Sequence, residues 1–275
     1  MISMSNHKTH HLPCKESLEK TFGVKYEKNI MYFIVVQGPT AAGKTTLSQD
    51  IFYILKNINC CNDSSPKNIK PFLLSLDDFY DFPYNNNSKD DFSVDYDNPN
   101  MLNWSNIYNV INSLIEEKTY ITIYKRPNGL VKDISYVKNP GFNVIIIEGV
   151  YAFNCLNEVV FNILEFDGHN IEKNIKQEYT KNTNIKKGKK KLKIFNLLLT
   201  QCKERLYKLR IQKDIILKYA EKEDIVKRLD TYTWPATLRW VYSPVFKHDY
   251  KIKNGNFNRK KVEELKSNIK YFFEK

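Results

Sequence analysis

The sequence predicts an α/β protein built on a parallel sheet with helices on both faces. Three observations predict it. Short apolar, β-branched runs recur along the chain, as "MYFIVVQ" (31–37), "PFLLSL" (71–76) and "NVIII" (143–147). Helical apolar periodicity separates or follows them. The first run also leads directly into "GPTAAGKTT" (38–46), whose G-x-x-x-x-G-K-T spacing is that of a phosphate-cradling loop set between a strand and a helix.

The elements follow in order. After the loop, Leu47, Ile51, Ile54 and Leu55 lie at helical spacing. "NCCNDSSPKN" is a polar connector to the second strand, which ends at "DDFY". Residues 81–103 are polar and contain Pro83 and Pro99, a long loop of the kind that usually carries function or is disordered. Ile107, Val110, Ile111, Leu114 and Ile115 mark one side of the next helix, and "YITIY" (120–124) a short strand. The third buried strand stops at Glu148-Gly149. Residues 165–191 are polar with few hydrophobes, which predicts a disordered Lys/Asn-rich insertion. "LKIFNLLL" (192–199) is a fourth strand, 200–242 reads as helical, and "DYKI" (249–252) is a last short strand. The closing helix has Val262, Leu265, Ile269 and Phe272 apolar and Asn258 as its cap. The expected organisation is a flexible tail over 1–28 and one domain over 29–275.

The 275 residues, 42% apolar and 13% aromatic, suffice for a sizeable core. Net charge is +12, which favours anionic partners such as nucleotides. Much of that charge sits in an Asn/Lys-rich background, so it is weak evidence of function. Five cysteines form no C-x-x-C pair, as expected for reduced thiols in a cytoplasmic protein. The N-terminus lacks the apolar core of a secretory signal, and no run approaches the roughly 20 apolar residues that span a bilayer. His7, His10, His11 and Cys14 could hold zinc, but a polar tail is the simpler account.

The residues that carry chemistry fall at the expected carboxyl ends of strands, where open α/β sheets gather ligands. In the loop Gly38, Pro39, Thr40, Ala41, Ala42, Gly43, Lys44, Thr45 and Thr46 would hold the phosphates of ATP: the glycines allow close backbone approach, Lys44 reaches the β- and γ-phosphates, and Thr45 places its hydroxyl on Mg²⁺. Glu148, ending "VIIIEG", would hold Mg²⁺ beside Thr45. Asp77 and Asp78 follow the second strand, where a carboxylate can orient an attacking hydroxyl and take its proton.

"GPTAAGKTT", then "LDDFY", then "DYDNPNMLNW", then "IIIEGVYAF" resembles the uridine kinase and phosphoribulokinase family of P-loop small-molecule kinases. The resemblance runs over about 31–165 and more weakly over 192–275. It implies a P-loop NTPase-type sheet with a helical lid, ATP and Mg²⁺ as cofactors, and a small-molecule acceptor. It makes Asp77 the general base, Phe79 and Tyr80 part of the acceptor pocket, Asp97 the ligand of ribose hydroxyls and Tyr124 a neighbour of the base. "LRIQKD" and "ILKY" resemble the lid, with Arg210, Lys213 and Lys218 in basic positions and Asp214 in the acidic one; of these, Arg210 and Lys213 would join Lys44 around the transferring phosphoryl group, and Arg210 and Lys218 would also touch substrate. Uridine kinases commonly form tetramers, so a homo-oligomer is compatible. Lys125 replaces the family's Asp after Tyr124, "KRPNGLVKD" has no counterpart to its base-reading His, and Tyr219 replaces the lid glycine. These departures spare the transfer machinery and fall on recognition of the base.

The expected reaction is phosphorylation of a ribonucleoside 5′-hydroxyl, with uridine or cytidine the first choice and nicotinamide riboside the second. Pantothenate and sugar phosphates suit Asp97 less well. A GTP-dependent switch is disfavoured because the chain contains no Asn-Lys dipeptide, hence no N-K-x-D motif. A non-catalytic nucleotide-dependent binder using "KKGKKK" (186–191) is the remaining alternative; that run reads more simply as a solvated patch, and neither nucleic acid nor membrane is expected as a partner.

Overall fold

β1 (Ile30–Gln37) is buried along its whole length, which only a central strand covered on both faces permits. The computed structural model describes residues 29–58, 69–81, 95–125, 133–157, 159–161, 179–186, 188–216, 221–253 and 259–274. Among them the strands are β1, β2 (Pro71–Ser75), β3 (Tyr120–Lys125), β4 (Asp133–Lys138), β5 (Val144–Gly149), β6 (Val159–Phe161), β7 (Tyr179–Lys181), β8 (Lys191–Thr200) and β9 (Tyr250–Lys253). The helices are α1 (Lys44–Ile58), α2 (Trp104–Ile115), α3 (Lys203–Ile216), α4 (Lys222–Arg228) and α5 (Arg259–Glu274). The main sheet has the order β2-β5-β1-β8-β9, and every pairing in it is parallel.

Alternation along β1 sorts the core into two layers. Met31, Phe33 and Val35 join Ile107, Ile111 and Leu114 of α2, Leu76, Phe79 and Trp240 on one face. Tyr32, Ile34 and Val36 join Leu47, Ile51 and Leu55 of α1 and Leu265, Ile269, Phe272 and Phe273 of α5 on the other. Tyr32 packs on both aromatic rings at the end of α5, with centroids 5.7 Å from Phe272 and 4.7 Å from Phe273. α3 and α4 stand apart, sharing a small cluster of Leu206, Ile225 and Leu229 with Trp234 against it. Trp240 and Trp234 are thus packing residues.

The structure departs from the sequence reading in three places. β5 does not stop before Glu148 but continues through Gly149, pairing Glu148 with Val36 of β1 and with Ser75 of β2. Gly149 is required there, because a Cβ would lie 2.6 Å from the Cβ of Leu76. The strand at 120–125 is not part of the main sheet; it forms an antiparallel hairpin with β4, a strand exposed along its length and therefore without a burial pattern to announce it. The third departure is in 165–191. Its last part is structured: β7 pairs with β6, and the chain after it lies along α2.

There Asn112 donates from Nδ2 to the Asn184 carbonyl at 2.9 Å and accepts at Oδ1 from the Lys186 N–H at 2.9 Å. Ile185 packs on the core. Two lysines of the basic run are engaged: Lys186 Nζ lies 2.9 Å from Glu116 and Lys190 Nζ 2.6 Å from Glu117. Polar composition misleads here because side-chain amides and ion pairs, rather than apolar burial, tether the segment. Residues 162–178, the 1–28 tail with its His/Cys cluster, 82–94 of the long loop, Asn258 and Lys218 lie outside the described residues.

Asn112→Ala removes both amide contacts. It is expected to lower stability by about 1–3 kcal/mol, read as a shift in the urea midpoint. An unchanged midpoint would show that these two amide contacts add nothing to the stability of the domain.

Candidate active site

The site lies where β1, β2 and β5 end together. β1 ends at Gln37, which is buried and bonded on both sides of its amide: Nε2 donates to the Val241 carbonyl at 3.0 Å and Oε1 accepts from the Phe153 N–H at 2.8 Å. The chain then turns through the Gly38–Gly43 loop into α1. Gly38 passes so close to β8 that a Cβ would meet both Leu199 Cβ and its carbonyl oxygen at 2.9 Å. Ala41 (φ 58°) and Gly43 (φ 86°) adopt left-handed conformations. Alternation of this kind turns successive N–H groups inward, making an anion-binding concavity at a helix N-terminus.

Lys44, the first residue of α1, is buried and donates from Nζ to the Pro39 carbonyl at 2.9 Å. Burial lowers its ammonium below the ordinary lysine value, the Asp77 and Glu148 carboxylates oppose that shift, and Lys213 and Arg210 add to it. Four other sequence-predicted residues therefore lie within electrostatic reach of Lys44. Arg210, on α3, also reaches the loop directly: Nη1 donates to Thr40 Oγ1 at 3.1 Å. Its Nε is paired with Asp214 Oδ2 at 2.8 Å, an (i, i+4) contact that aims the guanidinium along the helix.

Glu148 is 1% exposed and bonds through one oxygen only. Oε1 accepts from Ser75 Oγ at 2.6 Å and from Thr45 Oγ1 at 3.2 Å. Oε2 is buried and has no hydrogen-bond partner among the described residues. A buried carboxylate oxygen without a partner is costly, and burial pushes the Glu148 carboxyl above the usual range, with Asp77 adding to the rise and Lys44 opposing it. A hard divalent cation at Oε2, beside the Thr45 hydroxyl, would relieve both conditions, so this donor set fits Mg²⁺. The part played by Ser75 has no local sequence signal, since it shows only when β2 pairs with β5.

The acceptor side is built from the turn Leu76–Phe79 after β2, the segment around Asp97, and the β3–β4 hairpin. Asp77 and Asp78 both lie in that turn. Asp78 is 3.5 Å from Lys125 Nζ, so the lysine that departs from the family pattern ties the hairpin to the turn. The Phe79 and Tyr124 rings are 5.2 Å apart, and the Tyr124 hydroxyl donates to Asn106 Oδ1 at 3.2 Å. Burial raises the Tyr80 hydroxyl well above its ordinary value, and Asp77 and Asp97 raise it further. Tyr80 is thus a neutral hydroxyl near the carboxylates. Lys218 is the one predicted substrate residue outside the described part of the chain.

Two contacts around Asp97 were not legible in the sequence. Thr233 Oγ1 donates to Asp97 Oδ2 at 2.6 Å, across 136 positions. Asp95, two residues before Asp97, accepts the Asp97 N–H at 3.0 Å. Burial, reinforced by the Asp97 charge, raises the Asp95 carboxyl to about 6, against the pull of that N–H and of Arg228. Arg228 itself lies over the Tyr96 ring, 4.7 Å from its centroid.

Glu148→Gln keeps the shape and removes the charge offered to the cation. The Mg²⁺ concentration giving half-maximal activity at saturating ATP is expected to rise about 10–100-fold, in a titration of Mg²⁺ against both proteins. Asp95 predicts a pH effect. Its folded value is raised above the unfolded one, so its contribution to stability is complete below about pH 4 and is lost as pH rises through about 6. Asp95→Asn should therefore raise Tm relative to wild type at pH 8, with the gap shrinking toward pH 4. A gap of the opposite trend would reverse the assignment.

Comparisons with known proteins bear on the family and the fold. The model of the Phosphoribulokinase / Uridine kinase family matches residues 33–175, from β1 past the Glu148 strand. No curated protein sequence matches the chain significantly. Among solved structures, a candidate fructose transport system kinase from Silicibacter sp. TM1040 superposes with a TM-score of 0.52 at 12% identity, covering 82% of this chain and 91% of that one. A candidate uridine kinase from Bacillus stearothermophilus gives 0.46 at 10% identity, over 83% and 91%. A D-glycerate 3-kinase from Cryptococcus neoformans var. grubii gives 0.45 at 14%, over 86% and 91%. The first likeness supports the fold, and identities this low say nothing of the substrate. With the family model spanning more than half of its length, the chain belongs to the phosphoribulokinase/uridine kinase family of kinases.

Proposed function

We propose that this kinase transfers the terminal phosphoryl group of ATP to the 5′-hydroxyl of a ribonucleoside, with uridine or cytidine as the acceptor. The observation that carries the proposal is the convergence of three features at the carboxyl ends of β1, β2 and β5. A left-handed loop and Lys44 suit the phosphates. Glu148, with its unpartnered Oε2, suits a divalent cation. Asp77 stands near both, within the electrostatic reach of Lys44 and Glu148.

On this reading the loop amides and Lys44 hold the donor phosphates, and Arg210 and Lys213 face the same region from α3. Mg²⁺, when bound, supplies charge neutralisation across the transferring group. Glu148 and Thr45 would hold it. Asp77 orients the acceptor hydroxyl and takes its proton. Asp97 accepts from the vicinal 2′- and 3′-hydroxyls, a task suited to a carboxylate with several lone pairs. Tyr124, seated on the buried Phe79 ring, offers a ring surface to the acceptor, with Tyr80 beside it. The domain carrying this site is taken to be 29–275.

One observation favours a second acceptor. Asp95 lies beside Asp97 on the acceptor side and its carboxyl is held up to about 6 by burial and by the Asp97 charge, and a cation placed there would relieve that repulsion, which suits a positively charged ring, as in nicotinamide riboside. Against a non-catalytic binder using the basic run stands the engagement of Lys186 and Lys190 by Glu116 and Glu117.

The test is ADP release with uridine, cytidine, adenosine, nicotinamide riboside and pantothenate. Turnover is expected with a riboside and much less with its 2′-deoxy analogue. Asp77→Asn should lower kcat by about 10²–10⁴-fold. Equal rates on the deoxy compound would remove the role of Asp97, and full activity of Asp77→Asn would remove the general base.

A further inference from the structure

The segment Leu229–Val241 has an uncommon winding. Leu229–Thr233 and Thr237–Val241 are π-helical, separated by a single α turn, Trp234–Ala236. Pro235 accounts for part of this. It has no N–H to give to the preceding turn, and its ring would press on the carbonyl four residues back; a wider turn relieves both. The ladder accordingly closes over five residues, with the Trp234 N–H donating to the Leu229 carbonyl and the Tyr242 N–H to that of Thr237. π-turns also recur at functional sites.

This winding places Thr233, which is 5% exposed, against the Asp97 carboxylate. Thr233 is β-branched, so its rotamer is restricted within a helix. Its own carbonyl accepts from Thr237 Oγ1 at 2.8 Å, which stiffens the turn. The backbone of Asp97 is held as well: its N–H donates to Asp95 and its carbonyl accepts from the Tyr151 hydroxyl. Only Oδ2 of the carboxylate is bonded, and Oδ1 accepts no hydrogen bond among the described residues. One helical unit thus touches both halves of the site, Arg210 meeting Thr40 of the donor loop, and Thr233 and Arg228 meeting the Asp95–Asp97 segment.

We infer that Thr233 is a positioning residue for the acceptor: its hydroxyl pins Oδ2 of Asp97 and so presents Oδ1 to the vicinal hydroxyls of the substrate, making the π-helical continuation of the lid part of acceptor recognition. The inference rests on the acceptor role proposed for Asp97. A hydroxyl donor at this place holds the carboxylate in one rotamer and leaves its charge intact, whereas an apolar isostere frees the side chain to turn away.

The experiment compares wild type, Thr233→Val, Thr233→Ser and Asp97→Asn, using whichever of uridine, cytidine or nicotinamide riboside wild type turns over fastest. The expected result for Thr233→Val is a rise of about 10-fold in the acceptor KM, with kcat and the KM for ATP within about 3-fold of wild type. Thr233→Ser should return the acceptor KM to near the wild-type value, which a loss of folding or simple packing at this site would not produce. Asp97→Asn should raise the same KM at least as far. If Asp97→Asn raises the acceptor KM and Thr233→Val leaves it unchanged, or raises both KM values alike, the inference fails and the role of Asp97 stands. If Asp97→Asn leaves it unchanged, or none of the three ribosides is turned over, the reading of the acceptor site fails and this inference with it.

Discussion

The Glu148 carboxylate is the point on which the arrangement turns. It is a buried anion at the end of the sheet, bonded through a single oxygen to Ser75 of β2 and Thr45 of α1. Those two hydroxyls tie the neighbouring strand and the phosphate-loop helix to β5, and they direct the other oxygen to where nothing in the described chain meets it. A group held this way is strained in its protonation as well as in its contacts, because burial disfavours its charge. The same burial lowers Lys44. Each group is thus less at ease alone than with the opposite charge it faces, and a metal–triphosphate pair is complementary to both.

Around that point the site is assembled from elements of unequal rigidity. The donor side sits on buried parallel strands. The acceptor side is carried by a short turn, an exposed hairpin and a segment clamped from outside by the lid. Loops positioned by a rigid scaffold are where recognition usually varies. One departure from the family pattern falls there too, Lys125, which pairs with Asp78; an Asp95–Asp97 pair with a carboxyl near 6 stands in the acceptor segment.

The sequence was most legible where structure is local or periodic. The buried runs of β1, β2, β5 and β8, the phosphate loop and the two faces of helix packing each leave a pattern within a few residues, and each is found where the pattern puts it. It was least legible where polar contacts do the holding. Strand β4 is exposed throughout, so the alternation of Ile134 and Tyr136 with Asp133 and Ser135 marks no buried face. The 179–191 segment looks too polar to order, yet Asn112 and two glutamates of the α2 end hold it. Ser75 and Thr233 are ordinary hydroxyls in sequence and become site residues only through partners 73 and 136 positions away.

By itself the sequence determined the fold class, the family and the identity of the donor loop, because covalent spacing decides which groups a short loop can turn toward a phosphate. Only the tertiary structure decided what surrounds the carboxylates. Hydrogen bonds to Glu148 and Asp97, the convergence of Asp77, Arg210 and Lys213 on Lys44, and the burial that shifts Glu148 and Lys44 come from the packing of distant segments. No local pattern encodes them, since they exist only once the sheet has brought its carboxyl ends together and the helices after β8 have packed against them.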